Sequence, residues 1–227
     1  MFEIIYKILK VFEENNLWNE GVELIGSWCF SLYQKHLGAK FYPLKTQDID
    51  FLIPLPFKGN KHINLILELE RLGFKHSFNS DGSIYLWNSE LKIEFLTLEK
   101  GRGTEKAIKI EKLSVNAIPL RFMDILFIEP IFIKDNNINI CVPNPSSYCL
   151  QKLIVSFRRK KEYKRIKDIE QAIHTYAITD KEKFKKIYFS LPKKWQIKAI
   201  NNLKKSQGLL PLLEKNINEI LFTLQNI

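Results

Sequence analysis

Cysteine and histidine, the residues that most often bind zinc, are scarce in this 227-residue chain. It has three cysteines, Cys29, Cys141 and Cys149, and four histidines. The cysteines are odd in number and none belongs to a Cys-x-x-Cys pair, so their spacing excludes both a zinc site and a disulfide framework. The histidines lie far apart without a partner at ligand spacing, which argues against a histidine base. The composition therefore favours a reducing cytoplasm.

Long hydrophobic runs are also missing. No apolar stretch approaches the roughly 18 residues that a membrane-spanning helix requires, and residues 1–12 lack the apolar segment and cleavage site of a signal peptide. We therefore expect a cytoplasmic protein with no membrane partner. The sequence shows no internal repeat and no low-complexity linker. Its content of 45% hydrophobic residues predicts ordinary globular folding.

Net charge is nearly absent from the first 140 residues and high in the rest. Residues 1–140 contain 17 Lys or Arg and 18 Asp or Glu, whereas residues 141–227 contain 18 and 7. The net charge of +10 therefore comes entirely from the C-terminal part. A basic surface of this kind attracts polyanions such as RNA. A chain that uses lysine as its routine solvating residue shows the same excess, so charge alone does not separate the two interpretations.

Hydrophobic periodicity divides the chain into a part with strands and a helical part. The first part is predicted to contain helices at 3–15, 27–36 and 61–72, and strands at 22–25, 48–54, 83–88, 91–98, 107–111, 117–121, 126–133 and 138–142. The strands at 83–88 and 91–98 are expected to form a hairpin. From Ser146 onward, four helices are predicted, near 147–159, 162–178, 180–202 with a break at Pro192, and 208–225.

This order of elements predicts an α+β fold, in which a mixed β-sheet with flanking helices is followed by a C-terminal helical bundle. The segment from Pro143 to Ser147 has the composition of a connector that ends in a helix cap. We therefore expect a catalytic domain over residues 1–143 and a basic helical domain over residues 144–227.

Two aspartates, Asp48 and Asp50, occupy alternate positions of a predicted strand. Alternate side chains of an extended strand share a face, so the two carboxylates project together while Ile49 and Phe51 point into the core. Carboxylates this close repel each other unless a cation lies between them, and Mg²⁺, or Mn²⁺ in its place, meets that demand. The sequence therefore predicts a divalent metal site at Asp48 and Asp50.

Gly26 and Ser27 lie at the junction of a predicted strand and a predicted helix. The missing Cβ of Gly26 allows close approach of the backbone, and the helix N-terminus favours an anion. The hydroxyl of Ser27 is then placed to bond a triphosphate. A Gly-Ser pair before a helix is more often a plain cap, and an Asp-x-Asp strand also arises by chance, so each feature alone is a weak indication.

Together and in this order, the segments Leu24-Ile25-Gly26-Ser27 and Thr46-Gln47-Asp48-Ile49-Asp50 resemble the nucleotidyltransferase superfamily typified by DNA polymerase beta. Its pattern is a hydrophobic residue, then Gly, then Gly or Ser, and after a gap Asp, a hydrophobic residue and Asp or Glu, with a third carboxylate on a later strand. Glu94 takes the place of that third carboxylate, where Asp is more usual. The resemblance implies a nucleotidyltransferase-type mixed sheet and metal ligation by Asp48, Asp50 and Glu94.

Further matches extend the resemblance to bacterial nucleotidyltransferase-like proteins related to abortive-infection toxin enzymes, over roughly residues 20–175. The matching segments are Phe95-Leu96, Arg102-Gly103, Val142-Pro143-Asn144-Pro145, Lys152-Leu153, Arg158-Arg159 and Lys167-Asp168. Beside Gly26 and Ser27, the resemblance implies nucleotide contacts from Thr46, Lys152, Arg159 and Lys167. It also implies a toxin-like role, with an antitoxin protein as a partner.

The basic residues of the first C-terminal helices allow two interpretations. An apolar stripe leaves Lys152 and Arg159 on another helix face, from which a lysine or an arginine can reach a triphosphate. Alternatively, the basic run is a solvated helix end, and Asp168 pairs with Lys164 or Arg165 of its own helix.

We therefore expect an enzyme that transfers a nucleoside monophosphate from an NTP, ATP among them, to an acceptor hydroxyl. Asp48 and Asp50 would hold the metal on the triphosphate, and with Glu94 a second metal that lowers the pKa of the acceptor hydroxyl. The basic C-terminal part favours an RNA acceptor, such as a tRNA end. Two alternatives stay open: a regulatory module that binds nucleotide or RNA without turnover, and transfer to a protein or a small molecule.

Overall fold

The computed structural model describes residues 2–40, 46–99, 101, 103 and 106–225, with the side chains of all of these except Phe2. Arg102 of the Arg102-Gly103 match lies outside the described residues. The α-helices in these ranges are α1 (Phe2–Glu14), α2 (Gly26–His36), α3 (Leu65–Glu70), α4 (Pro145–Val155), α5 (Glu162–Tyr176), α6 (Lys181–Ser190), α7 (Lys193–Ser206) and α8 (Glu214–Gln225). The strands are β1 (Glu23–Ile25), β2 (Asp48–Leu52), β3 (Lys75–Phe78), β4 (Ile84–Trp87), β5 (Lys92–Leu98), β6 (Ile108–Ile110), β7 (Val115–Leu120), β8 (Ile131–Asp135) and β9 (Ile138–Val142).

Strand β5 lies at the centre of the larger sheet. Along one of its edges β2 pairs with it in parallel, and β1 pairs with β2 antiparallel. Along the other edge, β4 pairs antiparallel with the first part of β5, and β7 pairs in parallel with the last part. Strands β3 and β6 pair with β4 and β7. The sheet is therefore mixed and flanked by helices, which confirms the predicted α+β fold class.

One face of β2 and β5 is apolar. Ile49 and Phe51 on β2, and Ile93 and Phe95 on β5, are fully buried. The ring of Phe12 from α1 stacks on Phe51 with 3.9 Å between centroids. Burying a side chain of this size contributes about 1.5–3 kcal/mol. A register slip of one residue would expose this whole set, so the apolar face fixes which face carries the polar side chains.

The β4–β5 hairpin confirms the hairpin predicted from the sequence, whereas two other strands differ from the prediction. Strand β3 was not predicted, because its four residues are mostly exposed and lack alternating apolar side chains. The strand predicted at 126–133 is wrong over most of its length, since residues 124–129 form turns and bends and β8 begins at Ile131.

Strands β8 and β9 form a separate two-stranded hairpin. Its turn residues, Asn136 and Asn137, both have positive φ, at 45° and 65°. Two consecutive residues in this conformation match the right-handed twist of a tight hairpin, and asparagine adopts it at low cost. The paired asparagines therefore explain where β8 ends.

The C-terminal part folds into helices α4 to α8. Pro192 separates α6 from α7, as the sequence predicts. The cap of α4 is Asn144, whose side-chain oxygen accepts the Ser147 N–H at 3.0 Å, with Pro145 as the first helical residue. Asn202 on α7 donates to the Leu153 carbonyl at 2.7 Å, which satisfies an acceptor at the end of α4.

The chain divides into two compact units. The first unit comprises Met1–Ser31, Pro43–Met123 and Pro130–Pro143, and the second comprises Leu32–Tyr42, Asp124–Glu129 and Asn144–Ile227. The first holds the strands and the second holds α4 to α8. The functional domain limits at 1–143 and 144–227 stay a prediction. Within the described ranges, every helix is too short or too polar to cross a membrane.

Glu23 on β1 is a carboxyl group in the interior of the first unit. The residue is fully buried, and neither carboxyl oxygen has a hydrogen-bond partner. Strand β1 packs against β9, where burial raises the pKa of Cys141 and Glu23 in its ionised form raises it further. Burial raises the pKa of Glu23 to about 9, because the ionised form would lose its hydration without gaining a partner. The side chain is therefore a neutral acid at pH 7.

We expect Glu23→Gln to stabilise the protein at neutral and alkaline pH. The folded-state pKa of Glu23 is raised above its ordinary value of 4.5. The contribution of this group to the free energy of unfolding is therefore fully present below about pH 4.5 and is lost as pH rises towards 9. The glutamine variant lacks this decline. Its free energy of unfolding should exceed that of wild type by on the order of 3 kcal/mol at pH 7, and the gain should vanish near pH 4.5. Urea unfolding over this pH range measures the difference.

Glu14→Gln is the matched control, because Glu14 is exposed on α1 of the same unit. Its stability relative to wild type should change little with pH. The free energy of unfolding of Glu23→Gln relative to wild type could instead be as independent of pH as that of the control. Glu23 would then be ionised in the folded protein at neutral pH.

Candidate functional site

The polar face of β2 carries Asp48 and Asp50. Both residues are half-buried, and Ile49 between them is buried on the opposite face. This alternation is the one that the sequence predicts for an extended strand. The two carboxylates therefore project from the same face of the sheet.

Strand β5 brings Glu94 to the same face. The parallel register pairs Asp50 with Glu94 and Asp48 with Lys92. Residues paired across neighbouring strands point to the same side, with strand axes about 4.8 Å apart. Glu94 is half-buried and alternates with the buried Ile93. It thus occupies the place expected of a third carboxylate, and its role as a metal ligand stays a prediction.

Lys92 lies beside these carboxylates and is not among the site residues predicted from the sequence. Its Nζ lies 2.6 Å from Glu94 Oε1, and 4.4 Å from the centroid of the Tyr85 ring on β4. Partial burial favours the neutral amine, but the hydrogen bond and charge of Glu94, with the charge of Asp48, outweigh it and raise the Lys92 pKa. The spacing of Lys92 and Glu94, two residues apart on one strand, was the feature of the sequence that could have placed Lys92 on the same side of the sheet as Glu94.

The turn between β1 and α2 lies against Asp50. Gly26 has φ of 67°, and a Cβ at this position would collide with the Asp50 carboxylate. Glycine is therefore required both by the backbone conformation and by the close approach. Helix α2 begins here, with Ser27 nearly buried in its first turn. We call the side of β2 and β5 that carries Asp48, Asp50 and Glu94 the acidic face. The N-terminus of α2, which carries partial positive charge, lies beside this face and favours negatively charged groups there.

Thr46 lies just ahead of β2. Its hydroxyl donates to the Asp48 carbonyl at 3.4 Å, so the side chain is turned towards the strand backbone. This bond is long for a hydroxyl donor and holds the side chain weakly. The predicted contact of Thr46 with nucleotide stays a prediction.

The donor set of the acidic face fits a divalent cation at Asp48 and Asp50. Carboxylate oxygens are the ligands that Mg²⁺ prefers, and Mg²⁺ commonly keeps water and substrate phosphate oxygens in its remaining positions. Two protein ligands are therefore enough. Across the part of the chain that the structure describes, no three His, Cys, Asp or Glu side chains are arranged to hold one metal ion. Within the acidic face, the Glu94 carboxylate is paired with Lys92.

The second unit contains an ion cluster formed by two buried residues, Lys152 and Asp168, and by the exposed Arg159. Lys152 Nζ lies 2.6 Å from Asp168 Oδ1, and Arg159 Nε lies 2.7 Å from Asp168 Oδ2. The side chains of Lys152 and Asp168 are 8% and 5% exposed, so the pair is screened little by water. Asp168 therefore pairs with two residues from outside its helix.

This ion cluster controls the charge state of Asp168. Burial alone would raise the Asp168 pKa, but the charges and hydrogen bonds of Lys152 and Arg159 outweigh burial and lower it. The carboxylate is therefore ionised at neutral pH and offsets both cations. Lys167, the neighbour of Asp168 on α5, is half-buried. The predicted nucleotide contacts of Lys152, Arg159 and Lys167 stay predictions.

Comparison with known proteins gives the class of the chain. The sequence model of the nucleotidyltransferase family matches residues 3–190. A comparison with curated proteins finds no match. The fold is similar to an antigenic nucleotidyltransferase-like protein from Paracoccidioides brasiliensis, with 12% identity, a TM-score of 0.50, and 93% of this chain and 92% of that chain covered. The antibiotic-resistance factor ANT(2″)-Ia is also similar, with 14% identity, a TM-score of 0.43 and 96% of each chain covered.

The match over residues 3–190 spans both the acidic face and the first C-terminal helices. The chain belongs to the nucleotidyltransferase family. It is therefore a transferase, and its general reaction is the transfer of a nucleoside monophosphate from a nucleotide substrate. Enzymes of this class generally use an NTP with a divalent metal.

We expect Asp168→Asn to destabilise the protein strongly. The substitution leaves the ammonium of Lys152 buried without a counter-charge, which typically costs about 3–5 kcal/mol. Chemical denaturation of the purified variant measures this loss. The wild-type cluster should also weaken at acid pH, because a carboxylate with a lowered pKa contributes stability above its unfolded-state value and loses it as pH falls through the folded value.

The double variant Lys152→Met with Asp168→Leu is the matched control, because it removes both buried charges together. It should recover most of the lost stability. Wild-type stability in Asp168→Asn would mean that water, rather than Asp168, compensates Lys152.

Proposed function

We propose that the acidic face of β2 and β5 binds the triphosphate of an NTP together with a divalent cation and transfers the nucleoside monophosphate to an acceptor hydroxyl. The acceptor oxygen bonds to the α-phosphorus as the bond between that phosphorus and the bridging oxygen breaks, so pyrophosphate leaves and the hydroxyl proton passes to solvent. The observation that carries this proposal is the β2–β5 register, which sets Asp50 beside Glu94 on the polar face. The close approach of Gly26 to Asp50 supports it, since it puts a helix N-terminus next to the carboxylates.

Asp48, Asp50 and the first turn of α2 have separate parts in this proposal. Asp48 and Asp50 hold Mg²⁺ or Mn²⁺, which when bound neutralises charge on the phosphate oxygens. The first turn of α2 and the Ser27 hydroxyl donate hydrogen bonds to the phosphates. These residues act by orienting the triphosphate and stabilising charge, without a covalent intermediate on the protein.

We propose RNA as the first acceptor to test, because positive charge is concentrated in the second unit. Burial lowers the Lys198 pKa, and the charges of Arg158 and Lys205 lower it further, so these three cations lie near one another. The Arg165 guanidinium and the Lys205 ammonium lie 5.0 Å and 5.7 Å from the centroid of the Phe157 ring. Crowded cations next to an aromatic ring suit a nucleic acid, whose phosphates relieve the repulsion.

The resemblance to abortive-infection toxin enzymes refines this proposal. It leads us to propose a tRNA end as the acceptor and an antitoxin protein as a partner. Transfer to a protein or to a small molecule is the competing outcome of the acceptor test described below. Binding without turnover is the competing outcome of an assay with labelled NTP.

We expect Asp48→Asn and Asp50→Asn to weaken metal-dependent nucleotide binding. Each loses a charged ligand, so affinity for a non-hydrolysable NTP analogue with Mg²⁺ should fall by about 10- to 100-fold, the size of a lost charge-assisted contact. Titration calorimetry with and without Mg²⁺ measures this. Gly26→Ala should weaken binding as well, because its Cβ displaces the Asp50 carboxylate.

Glu111→Gln provides the control, because Glu111 is an exposed carboxylate of the same unit that pairs with Lys109. It should bind the analogue like wild type. Equal Mg²⁺-dependent affinity in Asp48→Asn and wild type would remove the aspartates from the site.

The RNA proposal predicts steep salt dependence. If Lys and Arg side chains bind phosphates, the logarithm of the RNA association constant falls linearly with the logarithm of salt concentration, with a slope of about −0.7 per contacted phosphate on single strands. Reversing the charge of Arg158, Lys160 and Lys164 to Glu should flatten this slope and weaken RNA binding. Analogue binding should stay nearly unchanged. Fluorescence anisotropy with labelled RNA at several salt concentrations measures both quantities.

A matched reversal of Lys58, Lys61 and Lys75 changes net charge equally on exposed residues of the first unit. It should affect RNA binding much less. An equal loss in the two triple variants indicates a general charge effect, and no loss in either leaves a protein or a small molecule as the acceptor.

A further inference from the structure

The acidic face carries its own cation. Lys92 and Glu94 are two residues apart on β5 and therefore share a side of the sheet. Their side chains form an ion pair with 2.6 Å between Nζ and Oε1. On the neighbouring strand, Asp48 and Asp50 are their paired residues. The ammonium thus pairs with one carboxylate and shares its side of the sheet with two others.

The Lys92 ammonium is held from several directions. The Tyr85 ring on β4 faces it at 4.4 Å, which is within the range of a cation–π interaction. The side chains of Lys92 and Glu94 are only 33% and 21% exposed. A pair in this setting is screened less than one on the open surface, where such pairs contribute little. The contact is therefore a feature of the site rather than of a solvated strand.

The charges of the face balance with one divalent ion. Asp48, Asp50 and Glu94 carry three negative charges, and Lys92 carries one positive charge, so their formal sum is −2. In the absence of nucleotide, one divalent cation is enough to neutralise this sum. A lysine is a compact point charge on a flexible stem, which suits it to a position between carboxylates.

We propose that Lys92 occupies the position at Glu94 that a second divalent cation would take, so that the site binds a single divalent ion at Asp48 and Asp50. This inference rests on the proposed function and replaces the second metal expected at Glu94 from the sequence. Lys92 acts as a positioning residue, because it fixes the Glu94 carboxylate and supplies the charge that would otherwise come from the ion. The absence of a three-ligand group among the described His, Cys, Asp and Glu residues agrees with it.

The test is the number of Mn²⁺ ions bound per molecule of nucleotide analogue. Electron paramagnetic resonance counts free Mn²⁺ during titration of the full chain with a saturating non-hydrolysable NTP analogue. We expect one bound Mn²⁺ per bound analogue in wild type. Lys92→Met frees the Glu94 carboxylate and should bind two. Lys92→Arg keeps a cation at Glu94 and should return the count to one.

Lys75→Met is the matched control. Lys75 lies on β3 of the same sheet, 6.0 Å from the centroid of the Trp87 ring, and Trp87 is the residue paired with Lys92. Removing this lysine should leave the count at one. A structural effect of losing any lysine from the sheet would instead change both variants alike.

Two results overturn the inference. Two Mn²⁺ ions per analogue in wild type would show that a metal displaces Lys92, and this result requires no variant. A folded Lys92→Met that still binds one ion would show that Lys92 does not set the count. Failure of the proposed function looks different: wild type then binds no analogue with Mn²⁺, or Asp48→Asn binds it equally well, and the inference falls with it.

Discussion

The parallel pairing of β2 with β5 is the contact on which the functional geometry depends. It joins two segments more than forty residues apart, and its register decides which side chains stand next to each other: Asp50 beside Glu94, and Asp48 beside Lys92. The same pairing stacks Phe51 on Phe95 in the core, with ring centroids 6.4 Å apart. Core packing and site geometry therefore cannot change independently, because a shift that disturbs one disturbs the other.

The local part of the site could be predicted from the sequence. The spacing of Asp48 and Asp50 sets their common face as soon as the segment is extended, and Gly26 before a helix is a local pattern of the same kind. Lys92 could not be recognised in this way. A lysine two residues before a glutamate looks like a solvating residue until the register places Asp48 beside it. That register is a long-range property, which strand periodicity does not contain.

The ion cluster of the second unit illustrates the same limit. Local rules for helices suggest Lys164 or Arg165 as the partners of Asp168, because residues three or four apart are neighbours on a helix. The structure pairs Asp168 with Lys152 and Arg159, which lie before the start of α5. Packing of α4 against α5 brings these groups together, and it depends on burial across two helices rather than on spacing within one. Burial also makes Asp168 a stronger determinant of stability than any exposed ion pair of these helices.

Lys92 reduces the repulsion between the carboxylates of the acidic face. Taken alone, three like charges on one face repel one another and lower the stability of the folded chain whenever no cation is bound. Lys92 offsets part of that repulsion, so the face is compatible with a stable fold between catalytic cycles.

The neutral carboxyl of Glu23 changes the protonation balance of folding. Because its pKa is raised to about 9, the folded chain carries a formal charge one unit more positive at pH 7 than the count of +10 from the sequence. The unfolded chain ionises this group near its ordinary value, so folding at neutral pH takes up a proton from the solvent. The heat of folding should consequently contain the ionisation enthalpy of the buffer.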